Sequence, residues 1–569
     1  MALDAGPWST ACPDWEQRIV EGRSLIPDLP LFTPVADKAL RVFKSLRVPD
    51  MIGTPTLGEV CEEWIFDLVR AVFGAYDPTT RRRMIRQFFV MIPKKNGKSS
   101  ISAAIIVTAA ILNERPNAEA ILIAETQKIA EIAFSQAAGI IKLDPRLDKE
   151  SGGIFDVKSH SKTIVHMNTG ATIRILSADG DVVTGSKAAY VLVDETHVLG
   201  HKAKAPGVYL ELEGGLAARP EGFLLEITTQ SKMQPHGEFK RRLALARGVR
   251  DGKIALPILP VLYELPASMQ QSGDWREEET WGLVNPNLER SVSIDYLREK
   301  LAEAEVAGPD AVALFASQHL NVEMGVGFNS DSWSGAPHWE KAVEPGLTLQ
   351  SLLDQCEVCT IGGDWGGADD LAALAVIGRR RTDRAWLLWG RAWARPSVFE
   401  ARKQIVPQLR DFERAGDLRV VATGEDQAAE AAELCAQVMG SGLLPEQNGI
   451  GLDSAAIALL MDALEQRGMT QPLVTAVKQG WALQTAISTM PLQLEGRRLL
   501  HGNQPIMNWA VGNARQELVG SNYMVTKQAS GAAKIDPLMA AFNAAMLMFL
   551  NPQARESLDA FLSDPIVVC

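Results

Sequence analysis

The sequence predicts an α/β protein of two large domains, the first built on a mainly parallel sheet. Three observations carry this. Short apolar runs with polar or acidic ends alternate with helical stretches from about Arg81 to Pro260, the pattern of parallel strands covered on both faces. After Pro260 the chain turns irregular, and a second strand-rich region follows about Pro345, after the glycine-bearing stretches Gly325-Val326-Gly327 and Ser334-Gly335-Ala336-Pro337. Finally, 569 residues exceed what one core usually holds, and a hydrophobic content of 46% is enough to fill two. We expect one domain over 1–345, including the N-terminal segment and linker, and another over 346–569.

The first strand, Phe88 to Ile92, runs into Pro93-Lys94-Lys95-Asn96-Gly97-Lys98-Ser99-Ser100 and then into the apolar stretch Ile101 to Leu112, a buried helix. A turn of this kind is a candidate phosphate-binding loop. Its backbone amides and the following helix N-terminus surround phosphate, Lys98 reaches the outer phosphates, and the Ser99 hydroxyl is a magnesium ligand. The usual first glycine is missing, and Lys94 and Lys95 add charge, so the loop alone is matched by a merely basic turn. Ala120 to Ala124 is a second strand with a polar end at Glu125-Thr126-Gln127.

The strand Tyr190 to Val193 ends in Asp194-Glu195. Asp194 is placed to hold magnesium together with Ser99, and Glu195 to polarise the water that attacks a γ-phosphate. Phe223 to Ile227 ends in Thr228-Thr229-Gln230-Ser231, hydroxyls and an amide at the sheet edge where open α/β sheets bind ligands. These are candidates for sensing γ-phosphate loss. The set implies ATP and Mg²⁺ as cofactors.

The second region has strands at Val358 to Gly363, Leu371 to Ile377 and Ala385 to Trp389, separated by glycine-rich turns and followed by alternating helices and strands. This order resembles the ribonuclease H-like fold. That resemblance makes Asp364, on the first strand, a metal-ligand candidate. Asp453 ends a short strand after Gly449-Ile450-Gly451-Leu452, and Asp536 heads the apolar helix that runs to Leu550. Three carboxylates on separate elements can hold two divalent cations about 4 Å apart and cut a phosphodiester, with Mg²⁺ or Mn²⁺ as the metal. Glu425 and Asp426, after the strand Leu418 to Ala422, rival Asp453 as the middle ligand, although they also suit a helix N-terminus.

A net charge of −12 argues against a protein that simply coats nucleic acid. Local basic runs, Arg81-Arg82-Arg83, Lys240-Arg241-Arg242 and Arg379-Arg380-Arg381, are candidates for a channel, and otherwise for solvated faces. Six cysteines in so long a chain make no disulfide framework, and the isolated Cys356-x-x-Cys359 pair lacks partners for a structural zinc. The start of the chain shows no basic-then-apolar signal segment, and no apolar run reaches the ~20 residues of a membrane span. The cysteine usage suits a reducing cytoplasm, with no membrane partner expected.

Taken together, Pro93 to Ser99, Val193-Asp194-Glu195-Thr196-His197, Lys478-Gln479-Gly480-Trp481, Asn508-Trp509 with Asn513, and Lys534-Ile535-Asp536-Pro537 resemble the large terminase subunit of tailed bacteriophages. The resemblance runs from about Trp64 to Ala545. It implies an ATP-driven motor that moves double-stranded DNA into a procapsid, joined to a nuclease that cuts the concatemer. It also implies a small terminase subunit and a portal protein as partners, a pentameric ring during packaging, and transient docking on the procapsid. In that family an upstream Trp-Gln pair reads adenine, whereas here Trp64 is followed by Ile65. The family's γ-phosphate arginine appears here as Lys94 or Lys95, or else comes from a neighbouring subunit; Lys95 joins Lys98 and Glu195 as a catalytic candidate. Two other classes compete: a helicase-like repair ATPase whose C-terminal region only binds DNA, and an inactive prophage remnant serving as a scaffold.

Overall fold

The computed structural model describes residues 8–80, 82–177, 188–324, 332–367, 370–453, 458–519, 522–527 and 534–553. The chain divides into two compact units, Met1–Met324 and Gly325–Cys569.

In the first unit β1 (Tyr76–Asp77) and β2 (Arg82–Arg83) form a small antiparallel ribbon. The main sheet comprises β3 (Gln87–Met91), β4 (Glu119–Ala124), β5 (Phe155–Lys158), β6 (Thr163–His166), β7 (Thr172–Ser177), β8 (Ala188–Asp194), β9 (Phe223–Thr228) and β10 (Ile258–Leu262). Their order is β10-β3-β9-β8-β4-β7-β6-β5. Neighbours from β10 to β7 are parallel, and β6 and β5 add an antiparallel edge. The central strands β8 and β9 are buried at every position, as parallel strands sandwiched between helices must be. β9 lies between β3 and β8, so the turns leaving all three open side by side on one edge. The helix Lys98–Leu112 is apolar around most of its circumference because it is enclosed, with Ile101 and Ala103 to Val107 all buried.

The stretch after Pro260 departs from the irregular course expected of it. β10 joins the main sheet, and four helices follow at Ala267–Ser272, Glu278–Val284, Ile294–Ala307 and Pro309–Leu320. Their apolar pattern is thin: in Ile294–Ala307 only Leu297 and Ala304 are buried. The division between units also falls ahead of Pro345, because Trp333 and Trp339 are fully buried in the second unit's core.

The second unit contains β11 (Cys356–Trp365), β12 (Ala372–Arg380), β13 (Trp386–Ala394), β14 (Leu418–Val420), β15 (Ile450–Leu452), β16 (Val474–Ala476) and β17 (Leu499–His501), with a separate antiparallel pair, β18 (Ala514–Val519) and β19 (Asn522–Lys527). The sheet order is β14-β13-β12-β11-β15-β16, with β17 also pairing β13. β11, β12 and β13 are an antiparallel meander, and β15 runs parallel to β11. Cys356 and Cys359 are buried free thiols of β11 within this core.

The helix Asp536–Met548 packs on β11, and a glycine makes the close approach possible. A Cβ on Gly362 would lie 2.1 Å from the Ala540 carbonyl oxygen and 2.2 Å from the Ala544 nitrogen, both backbone atoms. Thr360 donates to the Ala544 carbonyl at 2.9 Å and Asn543 to the Gly363 carbonyl at 2.8 Å, fixing the helix along the strand. Gly362→Ala is therefore expected to cost about 3 kcal/mol, the upper end for overpacking, read as a lowered denaturant midpoint.

The basic runs are mostly committed within the fold. Arg242 is buried against Glu226 and Glu213, Arg241 pairs with Glu238, and Arg379 is buried against Glu357. Arg81 lies outside the described residues. Among the described residues no helix is long and apolar enough to cross a membrane.

Candidate functional site

The loop leaving β3 is shaped by two residues with left-handed backbone, Lys95 (φ 69°) and Gly97 (φ 75°), the second immediately before the helix that opens at Lys98. A glycine there carries no Cβ penalty, while Lys95 needs support from outside the loop. That support comes from the helical stretch after β10. The Asn96 side chain donates to Asn285 Oδ1 at 2.7 Å and accepts from the Asn287 backbone N–H at 3.1 Å. Asn287 Nδ2 donates to the Asn96 carbonyl at 2.8 Å, and Ser291 Oγ donates to the Lys95 carbonyl at 2.6 Å. Stranding one such buried partner costs about 1–3 kcal/mol, so these amides specify one loop conformation. Sequence reasoning missed them; the signal was the compact Asn285-Pro286-Asn287 triplet in a stretch read as irregular.

The buried Lys98 ammonium donates to the carbonyls of Pro93 at 3.2 Å and Ile92 at 3.5 Å. Burial holds its pKa below the usual lysine value against the opposing charges of Glu195 and Asp194. Ser99 Oγ donates to Asp194 Oδ2 at 3.3 Å, so the hydroxyl and the carboxylate expected to share magnesium do stand together. Burial, with the Glu195 charge beside it, pushes the Asp194 carboxyl up to about 6. For Glu195 burial acts in the same direction, but the His197 hydrogen bond and the Lys98 charge outweigh it and hold the carboxyl below its usual range. Glu195 has left-handed backbone too, with φ 53°. Thr228, Thr229 and Gln230 are fully buried at the end of β9, and Thr229 Oγ1 and Gln230 Nε2 have no hydrogen-bond partner.

A cavity of about 730 Å³ opens over this loop. Lys94, Lys95, Gly97 to Ser100 and Glu195 line one side, and Val48, Met51, Val60, Cys61 and Ile65 supply an apolar wall. The position where a glutamine was sought is thus part of that wall. Trp64 faces the loop's support instead, its Nε1 donating to Asn287 Oδ1 at 2.9 Å. An anion cradle, a hydroxyl–carboxylate pair of hard oxygen ligands and an apolar slot fit a magnesium nucleotide.

In the second unit the parallel pairing of β11 and β15 sets Gly363 opposite Leu452, so Asp364 and Asp453 emerge at the same sheet edge. The Asp453 N–H donates to the Gly363 carbonyl at 3.3 Å. Asp536, the first residue of its helix, is buried. Asp364 feels the other two: burial, then the charges of Asp536 and Asp453, raise its carboxyl well above the usual range. Asp536 is raised to about 7 by burial and by Asp370. Asp370, just ahead of β12, is a fourth carboxylate, which sequence reasoning missed, and it is ion-paired with the buried Lys534. Among the described residues no three His, Cys, Asp or Glu side chains close to metal-holding distance. Glu425 and Asp426 lie elsewhere. Both are exposed at the head of the helix Gly424–Gly440, where Asp426 completes a capping box with Thr423. Their strand, β14, is three places from β11, roughly 14 Å at ~4.8 Å per strand.

Raised carboxyl pKa values make the ion-free second unit less stable as pH rises. Between about pH 4 and 7 the folded Asp536 binds more proton than the unfolded one, so unfolding becomes easier as pH climbs through that window. In EDTA the melting temperature of wild type should fall from pH 5 to about 7.5 more than that of Asp536→Asn, as followed by calorimetry.

The family model described as terminase large subunit, ATPase domain, matches residues 63–242, and that for the terminase large subunit, endonuclease domain, matches residues 262–551, more than half of the chain. The chain belongs to the terminase large-subunit family. It therefore carries an ATPase and an endonuclease. The endonuclease match in this terminase begins at residue 262, so it includes the turn after Val284 whose amides brace the phosphate loop. The chain is similar to protein YmfN of Escherichia coli K12, with 20% identity over 365 residues, 63% of this chain and 76% of that one. It is also similar to the large terminase of bacteriophage HK97, at 20% identity and a TM-score of 0.45 over 90% of this chain and 98% of that one. The large terminase of a thermophilic bacteriophage in complex with ADP matches at 11% identity and a TM-score of 0.29, covering 83% of this chain and 96% of that one.

Proposed function

We propose that this terminase is a DNA-packaging motor and nuclease in which the two activities use the two sites described above. The observation that carries the reading is the strand order β3-β9-β8, which sets the phosphate loop, the Thr228-Thr229-Gln230 turn and the Asp194-Glu195 pair side by side on one sheet edge. Lys94, Lys95, Asn96, Gly97 and Ser100 shape or line the phosphate seat, and Lys98 is poised to leave its carbonyl partners for the outer phosphates. Ser99 and Asp194 hold magnesium. Glu195 orients the attacking water, and Thr228 to Gln230 register whether the γ-phosphate is present. In the second unit Asp364, Asp453 and Asp536 hold divalent cations, Mg²⁺ or Mn²⁺, for phosphodiester cleavage, and Lys534 steadies Asp370 beside them. When bound, the cations neutralise phosphate oxygens at the first site and activate water at the second.

The substrate is double-stranded DNA, moved into a procapsid and cut from a concatemer. Family membership supports a small terminase subunit and a portal protein as partners, a pentameric ring while packaging, and a host-cytoplasm setting with docking on the procapsid. The test is the full-length protein assayed for ATP turnover with linear duplex DNA, and for plasmid cleavage with Mg²⁺ or Mn²⁺ against EDTA. Both activities are expected, with cleavage lost in EDTA. Turnover without cleavage would favour a helicase-like ATPase, and neither activity a scaffold.

A further inference from the structure

Two residues beyond Glu195 lies a histidine that the roles above leave unused. His197 is buried, and its Nδ1 sits 3.0 Å from Thr228 Oγ1 and 3.2 Å from Glu195 Oε2. It thus spans the acidic end of β8 and the polar end of β9. Counting protons assigns the ring. Thr228 has one hydroxyl proton and donates it to the Thr229 carbonyl at 3.0 Å, while its oxygen accepts from the His197 backbone N–H at 3.0 Å. Glu195, a carboxylate at neutral pH, only accepts. The proton between these groups must therefore sit on Nδ1. One N–H cannot serve two acceptors at full strength. Here it is aligned with Thr228, leaving the buried Glu195 Oε2 off its axis and without another partner.

We infer that His197 is a positioning residue that couples Glu195 to the end of β9 by sharing its Nδ1–H between Glu195 and Thr228. With the ring fixed by Thr228, the shared N–H holds the Glu195 carboxylate facing the water; movement of Thr228 away releases the ring and with it the carboxylate. Water activation thereby follows the state of the β9 turn, where Thr229 Oγ1 and Gln230 Nε2 are buried and unpartnered, ready to bond differently when the turn shifts. This rests on the ATPase site reading given above.

The experiment compares three single variants and one double variant of the full-length protein by steady-state ATP turnover. His197→Leu keeps apolar bulk against Phe239 but loses the donor; His197→Asn loses the ring but places an amide N–H near the position of Nδ1. Thr228→Val keeps side-chain shape and removes the partner from the other side, so it tests the link even if Leu at 197 impairs folding. Expected are a kcat roughly 10- to 100-fold lower for His197→Leu and Thr228→Val, with ATP KM within about two-fold of wild type, because the group orients the catalytic carboxylate and does not hold nucleotide. His197→Asn should recover most of the kcat, and the Leu–Val double variant should be no worse than either single one. Normal kcat in both His197→Leu and Thr228→Val, an Asn variant as slow as Leu, or additive losses would overturn the coupling while leaving the ATPase intact. Absence of turnover in wild type would overturn the ATPase reading and the coupling with it.

Discussion

Lys98→Ala should abolish ATP turnover while leaving metal-dependent plasmid cleavage by the same preparation unchanged. The ammonium is the one cation of the loop drawn inside the fold: it is buried, held by the carbonyls of Ile92 and Pro93, and close enough to Asp194 and Glu195 to feel both charges. Removing it takes away the positive charge that would meet the outer phosphates and leaves the two carboxylates to repel the nucleotide. Loss of one such preorganised electrostatic group is worth about 10²–10³ in rate, here compounded by weakened binding. Glu195→Gln should separate the two effects, since the amide still fills the site but cannot polarise water; nucleotide binding persists and turnover falls to background. Cleavage is unaffected because Asp364, Asp453 and Asp536 belong to the other compact unit. Retained steady-state turnover in either variant would remove the ATPase assignment from this loop.

Asp453→Asn is expected to depress cleavage as far as Asp364→Asn or Asp536→Asn, by about two orders of magnitude or more, because each would remove an anionic ligand from the proposed site, which would have to balance divalent cations. Glu425→Gln and Asp426→Asn should cut normally. β15 is hydrogen-bonded directly to β11, and the Asp453 charge reaches Asp364 strongly enough to raise it. Glu425 and Asp426 sit three strands away, the latter spending its carboxylate on the Thr423 N–H and hydroxyl. Asp426→Asn should cost only about 1 kcal/mol of helix stability. A dead Glu425→Gln beside an active Asp453→Asn would move the ligand to the earlier strand.

Much of this was legible along the chain because its signals are local. Buried parallel strands must be apolar throughout, so β3, β8 and β9 stand out as runs, and the polar residues that end them are the site candidates. The candidates Lys98, Ser99, Asp194 and Glu195 therefore needed only strand ends to be found. The four helices from Ala267 to Leu320 were read as irregular because their periodicity is weak, and with them went the amides that seat the loop. Asp370 was passed over for a similar reason: a carboxylate in a glycine-rich turn looks ordinary until Lys534 and Asp536 are seen beside it.

What the sequence determined by itself is the fold class, the two-part organisation and the identity of the residues at the ends of β3, β8, β9, β11 and β15, since each follows from apolar runs and the polar groups that terminate them. What only the tertiary structure decided is which of those ends are neighbours. Strand order put β9 between the phosphate loop and the acidic pair and brought Asp453 rather than Glu425 next to β11, while burial of Trp333 and Trp339 in the second core goes with a unit division ahead of them. Hydrogen bonds between strands distant in sequence leave no periodicity in the chain; contacts such as His197 to Thr228 and Asn96 to Asn287 exist only once the sheet has chosen its order.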